Sequence, residues 1–509
     1  LSLVLQHFNR NVIPRWRDFA STLELGELDS PAVPRRVDPL ELDLRTLEND
    51  WINGGTLSFA ADLVSVAILS GTSQVAREAA SFILEHQGET LPTHPLTRLA
   101  ESILTTGGAK EARPRLVTLY SKEEMRIFIA SHKKSLATFP RDGILWVDLS
   151  LLYTMQGQLD KAKRAMTVAL SLQPQSRFVL RSAARLFIHI DEPDRAQQLL
   201  RRSPMAKRDP WIMAAEIATA TNTQQKPLSV DAARAVLAGT RFSAHDTTEL
   251  SAAIATLEFQ DGNNRKAKKH VRSGLEMPNE NSLAQAKWLT RQMNALRPET
   301  REVSVQDFNV ERSFEASMWE AYLKKQWNTA ISNGLCWMRD QPFSSKPAQI
   351  SAHLTSSLLE DWATTEALAE FGLIANPHDP VLHILLAFAY GSTDQTELAR
   401  KHLGLIKGPL EKNIEVAYPA NEGLIAFREG KYDLGRELYR KAIEKAQVFE
   451  DEPLEAAALS YLAREEIHAK TDQAHAAFRA AEDAVYRLGN SSVEAPVILE
   501  RLKKRLERK

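Results

Sequence analysis

His245–Asp246 and His378–Asp379 are the residue pairs in this chain with the plainest chemical capacity. An imidazole beside a carboxylate can ligate a metal ion, and two such pairs invite a metal-hydrolase reading. Their neighbours argue for something simpler. In "NPHDP" the aspartate precedes Pro380, so its carboxylate caps a first helical turn that proline fits well. "SAHDTTE" also reads as a helix start, and His189 with Asp191 in "FIHIDEPD" makes no stronger metal pattern. Cys336, the single cysteine, sits in "NGLCWMRD" beside Trp337 on the inner side of a helix. A buried thiol fits that place better than a nucleophile, which needs a thiolate-stabilising neighbour. No glycine-rich phosphate loop precedes a lysine, and no strand–helix alternation supports a dinucleotide fold. The expectation is a chain with no catalytic residues, no cofactor and no metal.

Charge offers a second kind of chemistry. "NNRKAKKHVR" places Arg265, Lys266, Lys268, Lys269, His270 and Arg272 in one short stretch. Arg195, Arg201, Arg202, Lys207 and Arg208 form another cluster. Together they can build a basic ridge able to meet phosphate. No aromatic residue is interleaved for base stacking, so a solvated helix face is the expected reading and nucleic-acid binding the alternative. The chain as a whole carries 64 Lys+Arg against 65 Asp+Glu, so no global field draws it to nucleic acid or anionic lipid.

These side chains need elements to hold them, and "DGILWVDLSLLYTMQGQLDKAKRAMTVALSLQP", Asp142 to Pro174, shows what those elements are. Trp146, Leu149 and Tyr153 recur at helical spacing and predict the inner stripe of one helix. Gly157 falls where that helix must end in a left-handed cap. Ala162, Met166 and Ala169 predict a second helix, with small Ala162 allowing close approach and Pro174 stopping the chain. The unit is a helical hairpin, and it closely resembles a tetratricopeptide repeat, whose pattern recurs about every 34 residues.

The same register returns at Arg177, Pro380 and Val416, where Gly435 stands in place of the usual alanine. Weaker copies begin at Leu57, Thr248, Glu311 and Glu455, and "ISAHLTSSLLEDWATTEALAEFGLIANP" is a hairpin of uncertain register. The resemblance implies an all-α fold, helical-hairpin repeats stacked into a superhelical solenoid. The array is expected to break in three places. Residues 1–40 read as a helix near Phe8 to Phe19 followed by an extended arm, because Pro31, Pro34 and Pro39 interrupt any longer helix. Residues 41–296 form one solenoid half, 297–310 around Pro298 an extended linker or bend, and 311–490 a second half. Residues 491–509 read as a charged helix capping the last apolar face.

In this family the first helix of each pair lines a binding groove. The resemblance then implies a partner groove built from Arg181, Arg185, Trp319, Tyr322, Phe388, Phe427 and Arg428, with Val147, Leu151, Phe178 and His189 nearby. Aromatics mixed with arginines suit a protein-binding surface. The lysine/asparagine clamp of the chaperone-binding members is missing, since those positions hold Val147 and Leu151, or Arg181 and Arg185. A long solenoid with an irregular arm can also fill its own groove, which is the competing expectation for these side chains.

The function expected is a non-enzymatic scaffold or adaptor within a protein complex, working by groove or convex surface. The alternatives are a nucleic-acid-associated subunit using Arg201, Arg202, Arg265, Lys266, Lys268, Lys269 and Arg272, or a peptide-responsive regulator. One cysteine among 509 residues fits a reducing compartment, so a cytoplasmic protein is expected. The apolar run near Phe59 is too short to cross a bilayer, and the opening segment does not read as a signal peptide.

Overall fold

A computed structural model of the chain describes residues 10–26, 39–70, 73–86, 95–104, 121–296 and 303–507. Among these residues every regular element is helical. Phe8, the arm over 27–38, Gly71 and the break at Pro298 lie outside the described residues. The chain divides into two compact units, a first over Arg10–Ala316 and a second that takes up Ser317–Lys509.

The first unit opens with an extended strip, residues 10–18, and a short helix, Phe19–Glu24 (α1). This corrects the helix expected near Phe8 to Phe19, over residues 10–18. Pro14 inside the strip lacks the N–H that a helix from Phe8 to Phe19 would need. Helices Pro39–Gly54 (α2), Leu57–Ser70 (α3), Gln74–Glu85 (α4), Pro95–Leu104 (α5) and Lys122–Thr138 (α6) follow. Three full hairpins come next: Gly143–Met155 (α7) with Leu159–Leu172 (α8), Arg177–His189 (α9) with Pro193–Arg202 (α10), and Pro210–Asn222 (α11) with Val230–Ala238 (α12). Thr248–Gln260 (α13) pairs with Asn264–Gly274 (α14), and Glu280–Leu296 (α15) then stacks against α13. Among the described residues no second helix pairs with α15 as a hairpin. Val303, Val305, Phe308 and Val310 pack there instead, against Leu283, Ala284 and Ala316.

The unit boundary falls inside Phe314–Leu323 (α16). The second unit continues with Trp327–Asp340 (α17), Ser345–Leu354 (α18) paired with Trp362–Ala375 (α19), and Pro380–Ser392 (α20) paired with Thr396–Gly404 (α21). Lys412–Arg428 (α22) with Tyr432–Val448 (α23) and Glu452–Ala469 (α24) with Ala474–Leu488 (α25) complete the array, and Ala495–Glu507 (α26) follows. In both units the first helices of successive hairpins stack on one another, as a tetratricopeptide-like array requires.

The α7–α8 hairpin shows why these residues fold this way. The Asp142 carboxylate accepts the Ile144 and Leu145 N–H groups at 3.0 and 3.1 Å and so starts α7. Gly157 turns the chain at φ +67°. Ala162 is wholly buried, and its carbonyl accepts the Ser150 hydroxyl at 2.8 Å, an approach that a larger residue would block. Gly435 marks an even tighter crossing. A Cβ there would lie 2.5 Å from the Phe427 ring, which explains glycine where alanine is usual. The hairpin of uncertain register contains a π-helical turn, Thr355–Leu359, between α18 and α19. That insertion breaks the spacing which the other hairpins share.

Candidate functional site

The inner row of the first unit is occupied by the chain's own arm. Arg10 lies at α15, donating to Glu315 at 2.9 Å through two nitrogens and to Gln285 and Asn281 at 2.6 and 3.0 Å. Val12 enters the core among Met213, Ile217 and Leu250 of α11 and α13. The Ile13 carbonyl accepts Asn281, and Asn11 donates to the Ala218 carbonyl, both at 3.0 Å. Trp16 is buried, Arg17 pairs with Glu280 at 2.8 Å, and Arg15 joins Arg10 on Glu315. At the far end the Phe19 N–H donates to Asp148 of α7, and its ring meets Phe178 of α9 edge-on. The strip therefore crosses the first helices from α15 back to α7.

This arm decides where the expected groove residues lie. Arg181 is buried, pairs with Glu249 of α13 at 2.9 Å, and lies over the Trp211 ring at 4.8 Å. Arg185 is half-buried, and burial, then the neighbouring Arg15 charge, hold its guanidinium below the usual range. The same burial, with Arg185 beside it, draws His189 down to about 3 and keeps it neutral. Val147, Leu151 and Phe178 are buried as well. Arg181, Val147, Leu151 and Phe178 are interior positions and Arg185 and His189 half-buried ones, a correction to the open groove; the strip covers this row where Phe19 meets Phe178 and Arg15 neighbours Arg185.

The second unit reaches the same result by another route. Tyr322 is 2 % exposed, with Trp319 and Trp327 edge-on at 5.6 and 5.9 Å; Trp319 itself is half-buried. Phe388 is wholly buried against Trp362 and Tyr461. Phe427 is buried beside Tyr439. Arg428 points inward to Glu465 at 2.9 Å, with its side chain 6 % exposed. Of the expected set, the structure brings Trp319 against Tyr322 and leaves Phe388, Phe427 and Arg428 in separate inner contacts. The residue that links Phe388, through Glu465, to Arg428 was not foreseen. Arg464 lies over Phe388, Tyr461 and Trp362 at 4.7, 5.4 and 5.9 Å and donates to Glu465 at 2.6 Å. Its only sequence signal is a charged triplet, Arg464 to Glu466, at positions whose helical register turns inward.

The basic ridge divides. Arg201 turns down to the buried Glu216 at 3.0 Å and to the Lys226 carbonyl, while Arg202 is exposed. α12 comes between α10 and α14 in the chain and carries exposed Asp231 beside Arg234, which pairs with Glu258 at 2.8 Å. On α14, Ala267 and Val271 face the core, as the register requires. Arg265, Lys266, Lys269 and Arg272 are exposed and Lys268 is half-buried, with Lys266 leaning toward Glu258 at 3.9 Å. Met277, 54 % exposed, follows at the end of this helix.

The titratable groups named at the outset have structural employment. Asp379 caps α20 by accepting the Leu382 N–H at 3.0 Å and also accepts Gln349 at 2.7 Å. Asp246 accepts Ser243 at 3.0 Å in the turn before α13, and His245 packs edge-on against Trp211. Among the described residues no group of three His, Cys, Asp or Glu is placed to hold a metal ion. Burial pushes the Cys336 thiol up, against a smaller opposing pull from Arg339. Burial also raises Asp62 and Asp142 to about 6, and Asp142 is the α7 cap. A cleft of about 560 Å3 lies between the turns at Gly430–Arg436 and Ala469–Asp472, lined mostly by charged and polar side chains. Among the described residues no helix is long and apolar enough to cross a membrane.

One paired site sets a pH dependence. His383 contacts the Pro377 carbonyl through Nε2 at 3.1 Å and His402 through Nδ1 at 3.0 Å. Both bonds are satisfied when both rings are neutral and His402 donates from Nδ1. Burial, then the His383 and Lys401 charges, draw His402 down to about 4, and burial lowers His383. The unfolded chain therefore binds more protons between the ordinary histidine value and about pH 4. Stability from this pair is present above that window and is lost as pH falls through it. Amide exchange in α20 and α21, corrected for intrinsic rates, should speed up at pH 5.0 relative to 7.5. His402→Phe should flatten that difference; an equal pH response in the variant would show that the pair is not its source.

No protein-family model matches the chain, and no curated protein matches it. Solved helical-repeat structures do. The APC/C hetero-tetramer Cut9–Hcn1 aligns at 12% identity and TM-score 0.40, over 91% of this chain and 93% of that one. Yeast Tom70 aligns at 15% and 0.29 over 76% and 93%, and the human IFIT1 dimer with PPP-AAAA at 14% and 0.31 over 92% and 95%. The likeness is one of stacked helices.

Proposed function

We propose that this chain is a non-enzymatic scaffold or adaptor that holds an acidic protein surface against the outward face of α14. One observation carries the reading. The inner rows of both units are largely taken up by the chain's own side chains, whereas Arg265, Lys266, Lys269 and Arg272 stand outward on a helix with no carboxylate among its 11 residues. An exposed methionine at the end of that helix gives the patch an apolar edge, a composition suited to protein contact. A nucleic-acid partner is the weaker alternative, because α14 carries no aromatic for stacking and Arg201 is turned inward to Glu216. The reducing cytoplasm suits its single thiol.

The test is copurification from the native host with tagged full-length protein, read by mass spectrometry with and without nuclease. A Lys266→Glu/Lys269→Glu/Arg272→Glu variant, shown by circular dichroism to be folded, is the comparison. An acidic protein captured by the unchanged chain, lost from the variant and indifferent to nuclease supports the reading. Identical capture by both proteins overturns it, and loss of capture on nuclease treatment moves the assignment to nucleic acid.

A further inference from the structure

The C-terminal helix α26 has the chemistry of a bound ligand. Ile498, Leu502 and Leu506 are buried at intervals of four, while Lys503, Lys504 and Arg505 on the other side are exposed. Ala495 and Leu499 lie against Ala456, Ala484, Val485 and Leu488 of the last hairpin. That contact is what a capping helix needs. The polar contacts go much further back in the chain. Glu494 accepts the Tyr322 hydroxyl at 2.8 Å and meets His353 Nε2 at 2.7 Å. Arg501 pairs with Glu360 at 3.4 Å and donates to the Ser357 carbonyl, and Arg505 also pairs with Glu360.

The receiving side is unusual backbone. Ser357 lies in the π-helical turn, and Glu360 ends it at φ +54°, a left-handed conformation that costs energy for a residue with a Cβ. Strain of that kind persists where surrounding contacts hold it, and here two arginines one helical turn apart converge on the Glu360 carboxylate. Burial would raise that carboxyl, but Arg505 and then Arg501 hold it below the ordinary range. Tyr322, His353, Ser357 and Glu360 thus read three features of one helix: an acid before its first turn, and basic residues seven and eleven positions later.

We propose that these four residues form a recognition site for an amphipathic helix and that α26 is its resident, exchangeable occupant. The incoming ligand is a partner-protein helix with the same pattern: an acidic residue, apolar residues four, eight and twelve positions on, and arginines at seven and eleven. This is helix-in-groove recognition with the specificity placed in charged ends. It rests on the adaptor reading in taking the ligand from another protein, and it uses none of the α14 residues.

The experiment uses full-length protein and a labelled peptide spanning residues 492–507. Arg501→Glu/Arg505→Glu weakens the resident helix and leaves the receiving residues intact. The peptide should bind this variant at least about tenfold more tightly than the unchanged chain, the equivalent of one or two charged contacts released. Adding Glu360→Gln should abolish the gain. Absence of peptide binding while amide exchange shows α26 released overturns the proposal. Amide exchange on the unchanged chain covers the case in which the variant fails to fold. There α26 should exchange at least about tenfold faster than α24, and exchange in step with α24 would make it integral core and sink the idea. Lys266→Glu/Lys269→Glu/Arg272→Glu should leave peptide binding unchanged, so failure at one surface is separable from failure at the other.

Discussion

Glu315→Gln should lower the stability of the first unit by roughly 3–5 kcal/mol, the range for removing one partner from a buried ion pair. Glu315 is the anion that Arg10 and Arg15 share, and its side chain is 7 % exposed. Burial by itself would raise the carboxyl; Arg10 and then Arg15 overcome that and hold it at about 2. Glutamine keeps the shape and removes the charge, which leaves two largely buried guanidiniums without their shared anion. Because the folded value is depressed, the contribution is present above the ordinary glutamate range and is lost as pH falls toward 2. Arg10→Met should cost less, since Glu315 then keeps Arg15. Urea denaturation measures the loss. Limited trypsin digestion locates it, because the arm carries cleavable Arg10, Arg15 and Arg17, and release should expose them. An unchanged urea midpoint with an equally resistant arm would show that the strip is not held by this pair.

Those numbers explain why the hairpins were legible in the sequence and their contents were not. A hairpin is local. Trp146, Gly157 and Ala162 act on neighbours within about one repeat, and the same steric demand recurs at Gly262 and Gly430, where φ is again positive. Even where glycine is missing, Asp191, Lys325 and Asp394 take up left-handed conformations of φ 59°, 58° and 61°. The filling of the inner rows has no period. Arg10 meets Glu315 across 305 positions, and Tyr461 meets Ser357 across 104. Such pairs leave no spacing to read, and the first helices look alike whether their inner side chains face solvent, an arm or one another. Phe388 illustrates the cost. It lies on a first helix but wholly buried, and nothing near Phe388 in the chain announces Arg464. The π-turn had the opposite fault: an irregular spacing left the register of a recognisable hairpin unfixed and, with it, the place of Glu360.

The second unit repeats the arrangement of the first, one buried glutamate between two arginines, and this gives the sharpest test of what the inner row is for. Glu465 lies between Arg428 and Arg464, all three nearly or fully enclosed. Glu465→Gln should therefore destabilise by roughly 3–5 kcal/mol, since Arg464 loses its carboxylate and Arg428 keeps only the exposed Asp394 at 3.7 Å. Arg464→Met should cost less, because a thioether still packs favourably among Phe388, Tyr461 and Trp362. The decisive variant carries Arg428→Met, Arg464→Met and Glu465→Leu together. With these three buried charges gone and volume kept, their desolvation no longer opposes folding, and stability should return to that of the unchanged protein or exceed it by about 1–4 kcal/mol. Chemical denaturation of the three proteins separates two meanings of the charges. Recovery in the triple variant, with copurifying proteins unchanged, makes Arg428 and Arg464 structural and removes Arg428 from any partner surface. Recovery of stability with loss of a captured protein would instead make the buried charges part of recognition, and the outward α14 face would then not be the whole interface.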